Sequence, residues 1–126
     1  ADRTSSAVVK FRLPGPDAVT TGMTFTISLL LLAETTGSLP PVTVSYKRLP
    51  RPAVAASETP PASFTAVTFS SSGTAVVSGD YARVDSAAIA GVEADDVIVV
   101  KIVRSAPDAY AGEVGLFDLT GFLTAP

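Results

Sequence analysis

The 126-residue chain contains no histidine, no cysteine and no tryptophan, and only one methionine. Without imidazole, catalytic triads that rely on a histidine base are excluded, together with histidine-ligated zinc sites and imidazole proton shuttles. Without thiols there are no disulfides and no thiolate nucleophiles, and the redox compartment stays open. Charge is scarce as well: 17% of residues are charged, against about 25% in an average soluble protein. Nine basic residues face twelve acidic ones, for a net charge of −3 and a pI near 4.7. That sign opposes binding to a phosphate backbone, so nucleic acid is not an expected partner. Long apolar runs are missing too. The longest, Ile27 to Ala33, is interrupted by Ser28 and falls far short of the roughly 20 residues of a membrane helix, so no membrane partner is expected. No glycine-rich phosphate loop or dinucleotide fingerprint occurs, and we expect no cofactor. The first residues, Ala1 to Ser6, lack the basic and apolar regions of a secretory signal, and Ala1 is what removal of an initiator methionine leaves; the expectation is a protein without an export signal.

What is present is a large share of small and β-branched residues. Hydrophobic residues make up 47% and the mean hydropathy is +0.41. The surface must therefore display many Ala, Ser, Thr and Val side chains, which suits a protein packed against copies of itself or a larger body. The length fits one domain, with about two-thirds of the unfolded surface buried on folding. We expect an N-terminal arm over residues 1–7 and one domain over residues 8–126.

Apolar and polar residues alternate along most of the chain. Val9, Phe11 and Leu13 oppose Lys10 and Arg12, predicting a half-exposed strand that Pro14 to Asp17 terminates. Met23, Phe25, Ile27, Leu29 and Leu31 share a face opposite Thr24, Thr26 and Ser28, while Leu30 and Leu32 make the far end apolar on both sides. That end is expected to be covered within the fold or by a neighbouring subunit. Gly37 to Pro41 reads as a turn and Val42 to Lys47 as a third strand. Arg48 to Pro61 carries four prolines, which forbid a central strand or a regular helix, and reads as a long excursion. Shorter strands are expected within Phe64–Phe69, Thr74–Val77 and Tyr81–Asp85, and Ser86 is expected to cap one helical turn through Ala90. Val97 to Val103 is apolar on both faces save for Lys101 and should be buried on both. A last strand runs from Glu113 to Leu119 and can extend to Leu123. With no helical stripe of useful length, the pattern predicts an all-β, antiparallel β-sandwich of about seven or eight strands. A jelly roll is the preferred form, and an immunoglobulin-like sandwich the runner-up.

Three groups carry chemistry. Glu93, Asp95 and Asp96 have the residue types of a Ca²⁺ site or an acid/base pair, but lack the ordered spacing of a calcium loop; the plainer reading is a solvated turn that opens the next strand. Asp108 to Glu113 offers Tyr110 as a contact for a ligand or partner, against a reading in which Asp108 and Gly112 shape a loop and Tyr110 packs with its hydroxyl at the rim. Lys47, Arg48 and Arg51 form a small basic group beside the proline-rich excursion, and arginine is favoured in interface hot spots. Lys47, Arg48, Arg51 and Tyr110 are therefore the candidate interaction residues, with no catalytic or metal site assigned.

The stretch Gly91 to Arg104, in which the acidic turn Glu93-Ala94-Asp95-Asp96 opens a very apolar strand ending in a basic residue, is followed by Asp108-Ala109-Tyr110-Ala111-Gly112-Glu113 and a last apolar strand. Together with Val8 to Pro14 as an opening strand, this resembles a β-domain found in structural proteins of tailed-phage virions. Ala94 stands where that domain commonly has a turn glycine, and Glu113 where it has aspartate. The resemblance implies a non-enzymatic virion protein, made in the host cytoplasm, that assembles as a homotrimer. The chain has no heptads, collagen-like repeat or shaft sequence of its own. Of the roles the resemblance allows, a capsid decoration or cement protein bound to the major capsid protein on the outer capsid surface therefore fits better than a domain of a head or tail fibre. A carbohydrate-binding or small-ligand jelly-roll module is a further alternative, disfavoured by the absence of tryptophan.

Overall fold

The computed structural model describes residues 5–13, 24–69, 74–93, 95–104, 110, 112 and 114–124. Nine strands and no helix occur among them: β1 (Ser5–Arg12), β2 (Thr24–Ala33), β3 (Gly37–Ser38), β4 (Val42–Leu49), β5 (Thr65–Val67), β6 (Ala75–Val76), β7 (Tyr81–Asp85), β8 (Val97–Arg104) and β9 (Val114–Thr124). They form a four-stranded sheet in the order β1-β8-β4-β5, a three-stranded sheet in the order β7-β2-β9, and a small β3-β6 ribbon. All pairings are antiparallel.

The core forms where the inner faces of the two large sheets meet. From β2 it takes Phe25, Ile27, Leu29 and Leu31, from β4 Val42 and Val44, and from β8 Ile98, Val100 and Ile102. Burying each of these side chains contributes about 1.5–3 kcal/mol before entropy is counted. The period-2 alternation read from the sequence thus marks the inward face of both central strands. Phe11 and Phe25 join the sheets edge to face, with ring centroids 5.4 Å apart and planes at 62°, a favoured aromatic geometry.

Several expectations change in detail. β1 begins at Ser5, so the tail of the expected N-terminal arm belongs to the sandwich, hydrogen-bonded to β8 along its length. β4 runs through Arg48 to Leu49, two residues into the expected excursion; the segment 51–63 that follows is exposed throughout and carries no strand. No helical turn forms after Ser86. Ile89 instead pairs with Phe25, Ser86 N–H donates to Ile27 C=O, and the Ser86 hydroxyl accepts from Ile27 N–H at 3.0 Å. These bonds fasten the segment to the edge of β2, and an extended chain satisfies more backbone groups there than one helical turn would. β8 is buried on its inner face, and on its outer face Val99 is buried while Val97 and Val103 are half-buried. On the outer face of β2 Leu30 is half-buried and Leu32 is 38% exposed, so this end is only partly covered among the described residues. The expected turn at Pro14–Asp17 lies outside the described residues, as do Met23, Asp108 and Glu113.

Candidate interaction surface

Two of the groups singled out in the sequence meet at one end of the sandwich. Arg12, Val97 and Leu49 lie side by side in register, at the end of β1, the start of β8 and the end of β4. Here the basic group near the excursion faces the turn Glu93–Asp96. Arg48 Nε donates to Asp96 Oδ2, and its Nη2 lies 3.2 Å from Glu93 Oε2. Arg12 and Arg51 reach Asp95 Oδ1 at 3.2 and 3.4 Å. Three cations and three carboxylates thus neutralise one another.

The turn is shaped for these contacts. Asp96 is 1% exposed and accepts from the Glu93 backbone N–H at 2.8 Å, while its own carbonyl accepts from Leu13 N–H at 2.8 Å. Asp95 has φ of 62°, a left-handed conformation that aspartate tolerates better than most residues. The Asp96 hydrogen bond raises the Arg48 pKa above its ordinary value, outweighing the opposing effect of burial. Asp96 is therefore an inward-turned anchor for the turn. Among the described residues, no group of three or more acidic side chains stands close enough to hold a metal ion.

Lys47 has a different environment. On the outer face of the four-stranded sheet its ammonium sits 4.6 Å from the Phe64 ring centroid, and Lys101 approaches the same ring at 5.6 Å. The returning end of the excursion thus lays an aromatic ring between two lysines, a favourable cation–π arrangement.

Tyr110 lies at the opposite end of β8 and is 4% exposed. Its hydroxyl donates to Thr35 C=O and accepts from Thr35 N–H at 3.0 Å. Arg104, itself 4% exposed, stacks 5.4 Å from the ring centroid and donates to the carbonyls of Gly112 and Tyr110 at 2.7 and 3.0 Å. The side chain is turned inward and joins two loops, and the hydroxyl's partner is the Thr35 backbone.

The structure therefore distributes the four candidates over three environments: Arg48 and Arg51 in the ion cluster, Lys47 on a sheet face, Tyr110 inside the fold. Sequence reading missed Phe64 and Lys101 as companions of Lys47, since only the β4-β8 pairing brings them together. It also missed a set of apolar residues on the outer face of the three-stranded sheet. Tyr81 pairs with Leu32 across β7 and β2; Tyr81 is 61% exposed, and Phe122, on the same face of β9, 44%. Arg83 lies 5.6 Å from the Phe122 ring centroid and pairs with Asp85 at 2.9 Å. The apolar character of Leu30 and Leu32 was the available signal. Compared with models of known protein families, with curated proteins and with solved structures, the chain finds no match.

Proposed function

We propose that this chain is a structural protein of a tailed-phage virion, most specifically a decoration or cement protein that binds the outer capsid surface as a homotrimer and stabilises it without catalysing a reaction. The observation that carries this reading is the division of labour among its side chains. Arg12, Arg48, Arg51, Arg104 and Tyr110 hold turns and loops to strands, whereas Leu32, Tyr81 and Phe122 are exposed on the outer face of a sheet. A fold whose arginines fasten its own loops and which exposes large apolar side chains on one sheet face is suited to act through association.

The finer reading of the fold, a jelly roll, belongs to the same proposal. Successive main strands alternate between the four-stranded and three-stranded sheets, except that β4 and β5 stay in one sheet. This alternation supports the jelly-roll reading, since it follows the order of the last seven of a jelly roll's eight strands among the described residues. The likeness of Gly91–Arg104 and Val8–Pro14 to phage virion domains supplies the virion context. Repetition supplies the affinity, because three copies in one rigid body turn weak contacts with the capsid into strong collective binding.

Two experiments test the proposal. Sedimentation of the purified protein should give a trimer, and Leu32→Lys should shift it to monomer without loss of fold; a wild-type monomer with no concentration dependence, on or off the particle, counts against it. Particles stripped of the protein should rupture at lower temperature, with density lost from the outer capsid. Density on a tail or fibre would instead favour the fibre-domain role. Glycosidase activity that disappears with Asp95→Asn or Asp96→Asn would overturn the non-enzymatic reading.

A further inference from the structure

The four-stranded sheet contains no acidic residue. β1, β8, β4 and β5 read SSAVVKFR, VIVVKIVR, VTVSYKRL and TAV, and among them they hold six of the nine basic residues of a chain in which acids outnumber bases twelve to nine. Three of the six are already engaged: Arg12 and Arg48 with carboxylates of the Glu93–Asp96 turn, and Arg104 with loop carbonyls. The other three, Lys10, Lys47 and Lys101, have no acidic partner among the described residues and share the outer face.

Their spacing follows from the register. Lys10 and Lys47 flank Val99 from the two sides, and Lys101 lies two residues further along β8, beside Val8 and Ser45. With strands about 4.8 Å apart and residues about 3.4 Å along a strand, the three positions form a triangle with sides of roughly 8–10 Å. Protection of an open edge explains a lysine on edge strand β1. It does not explain Lys101, which stands on interior strand β8, while Lys47 directly follows the last β4 residue paired by β5. Phe64 holds both ammoniums near its ring, which lowers the freedom lost when they meet a partner. Beside them Val8 is 57% exposed.

We infer that the outer face of the β1-β8-β4-β5 sheet is a docking surface for an acidic protein face, with Lys10, Lys47 and Lys101 as its charged contacts and Val8 as its apolar one. Charge complementarity selects the partner. Discrete carboxylates on a folded surface suit a fixed triangle of ammoniums. A duplex would require a denser and longer run of cations, and a lipid surface would require free aromatic or long apolar side chains, whereas Phe64 lies under the lysines. The inference goes beyond the virion reading and holds for any partner with such a face.

The test uses the intact protein and three probes: a fluorescent poly-L-glutamate oligomer, a DNA duplex, and vesicles mixing phosphatidylcholine with phosphatidylserine. Poly-L-glutamate is expected to bind, with affinity falling as salt rises. The Lys10→Gln/Lys47→Gln/Lys101→Gln variant should lose roughly tenfold in affinity, as three exposed ion pairs imply, while Arg83→Gln on the other sheet changes nothing. Should the triple variant not fold, Lys10→Gln alone, on the edge strand, should still weaken binding. Binding unaffected by these lysines overturns the inference, as does tighter binding to the duplex or the vesicles, or salt-sensitive self-association that occupies the same face.

Discussion

Arg48 and Asp96, 48 positions apart in sequence, form a two-point contact at the end of the sandwich, with Arg48 Nε on Asp96 Oδ2 and Arg48 Nη2 at 3.4 Å from Oδ1. The two side chains are unequally buried, at 31% and 2% exposed. Removing the arginine leaves the Asp96 carboxylate with only the Glu93 N–H as donor among the described residues, whereas removing the carboxylate leaves a guanidinium that water can reach. Arg48→Ala should therefore cost about 1.5–3 kcal/mol, and Arg48→Ala/Asp96→Asn should recover part of that loss because the under-partnered charge is gone. Denaturant unfolding of the single and double variants gives both values; a double variant no more stable than Arg48→Ala would show that the buried charge is not the cause.

Gly121 on β9 makes room for the ring of Phe25. A Cβ at this position would stand 2.2 Å from Phe25 Cζ, and glycine inside a strand often marks such a close approach. Gly121→Val should cost about 1–3 kcal/mol by overpacking. Combining Gly121→Ala with Phe25→Leu should be less damaging than the sum of the two, since the smaller side chain vacates the space the methyl enters. Thermal unfolding of the four species measures the coupling, and strict additivity would contradict the packing described.

Tyr110→Phe should cost about 1–2 kcal/mol through loss of the two bonds to Thr35. It should leave partner binding unchanged, because the ring is enclosed by the protein itself. A variant of wild-type stability that loses binding would return Tyr110 to the role of a surface contact.

Asp85 gives the expected pH dependence. Hydrogen bonds from Arg83 and then Ser28 hold its carboxyl below the usual carboxylate range. A carboxyl whose pKa is lower in the folded state adds stability above its unfolded pKa and loses it as pH falls through the folded one. The pair is exposed, at 59% and 41%, so solvent screening keeps its effect on stability small. An NMR titration of the Asp85 carboxyl carbon should show a midpoint below that of a model aspartate, moving up in Arg83→Gln. A midpoint indifferent to that substitution would rule out Arg83 as the main cause.

Much of the fold was legible because strand periodicity is local. The pleat sends successive side chains to opposite faces, so Phe25, Ile27, Leu29 and Leu31 declare an inner face without knowledge of their partner, as do Ile98, Val100 and Ile102. Proline acts locally too, by fixing φ and removing a donor, so the excursion after β4 was visible as a break. Ser86 to Ala90 misled because the hydroxyl that can cap a helix serves equally to fasten one strand to another, and only the proximity of Ile27 decides between them.

The order of residues alone was enough for the all-β class, the inward faces of the long strands, and the lack of imidazole and thiol chemistry. The tertiary structure alone decided what the charges do. Lys47, Arg48 and Arg51 read as one basic group in the chain, yet alternation sends Lys47 to the outer sheet face and Arg48 toward the Glu93–Asp96 turn. Lys10 and Lys101, remote in sequence, become companions of Lys47 through pairing with β8. Periodicity is set by each residue's own backbone, whereas the partner of a charge is set by register between segments tens of residues apart, and register follows from the packing of the whole core.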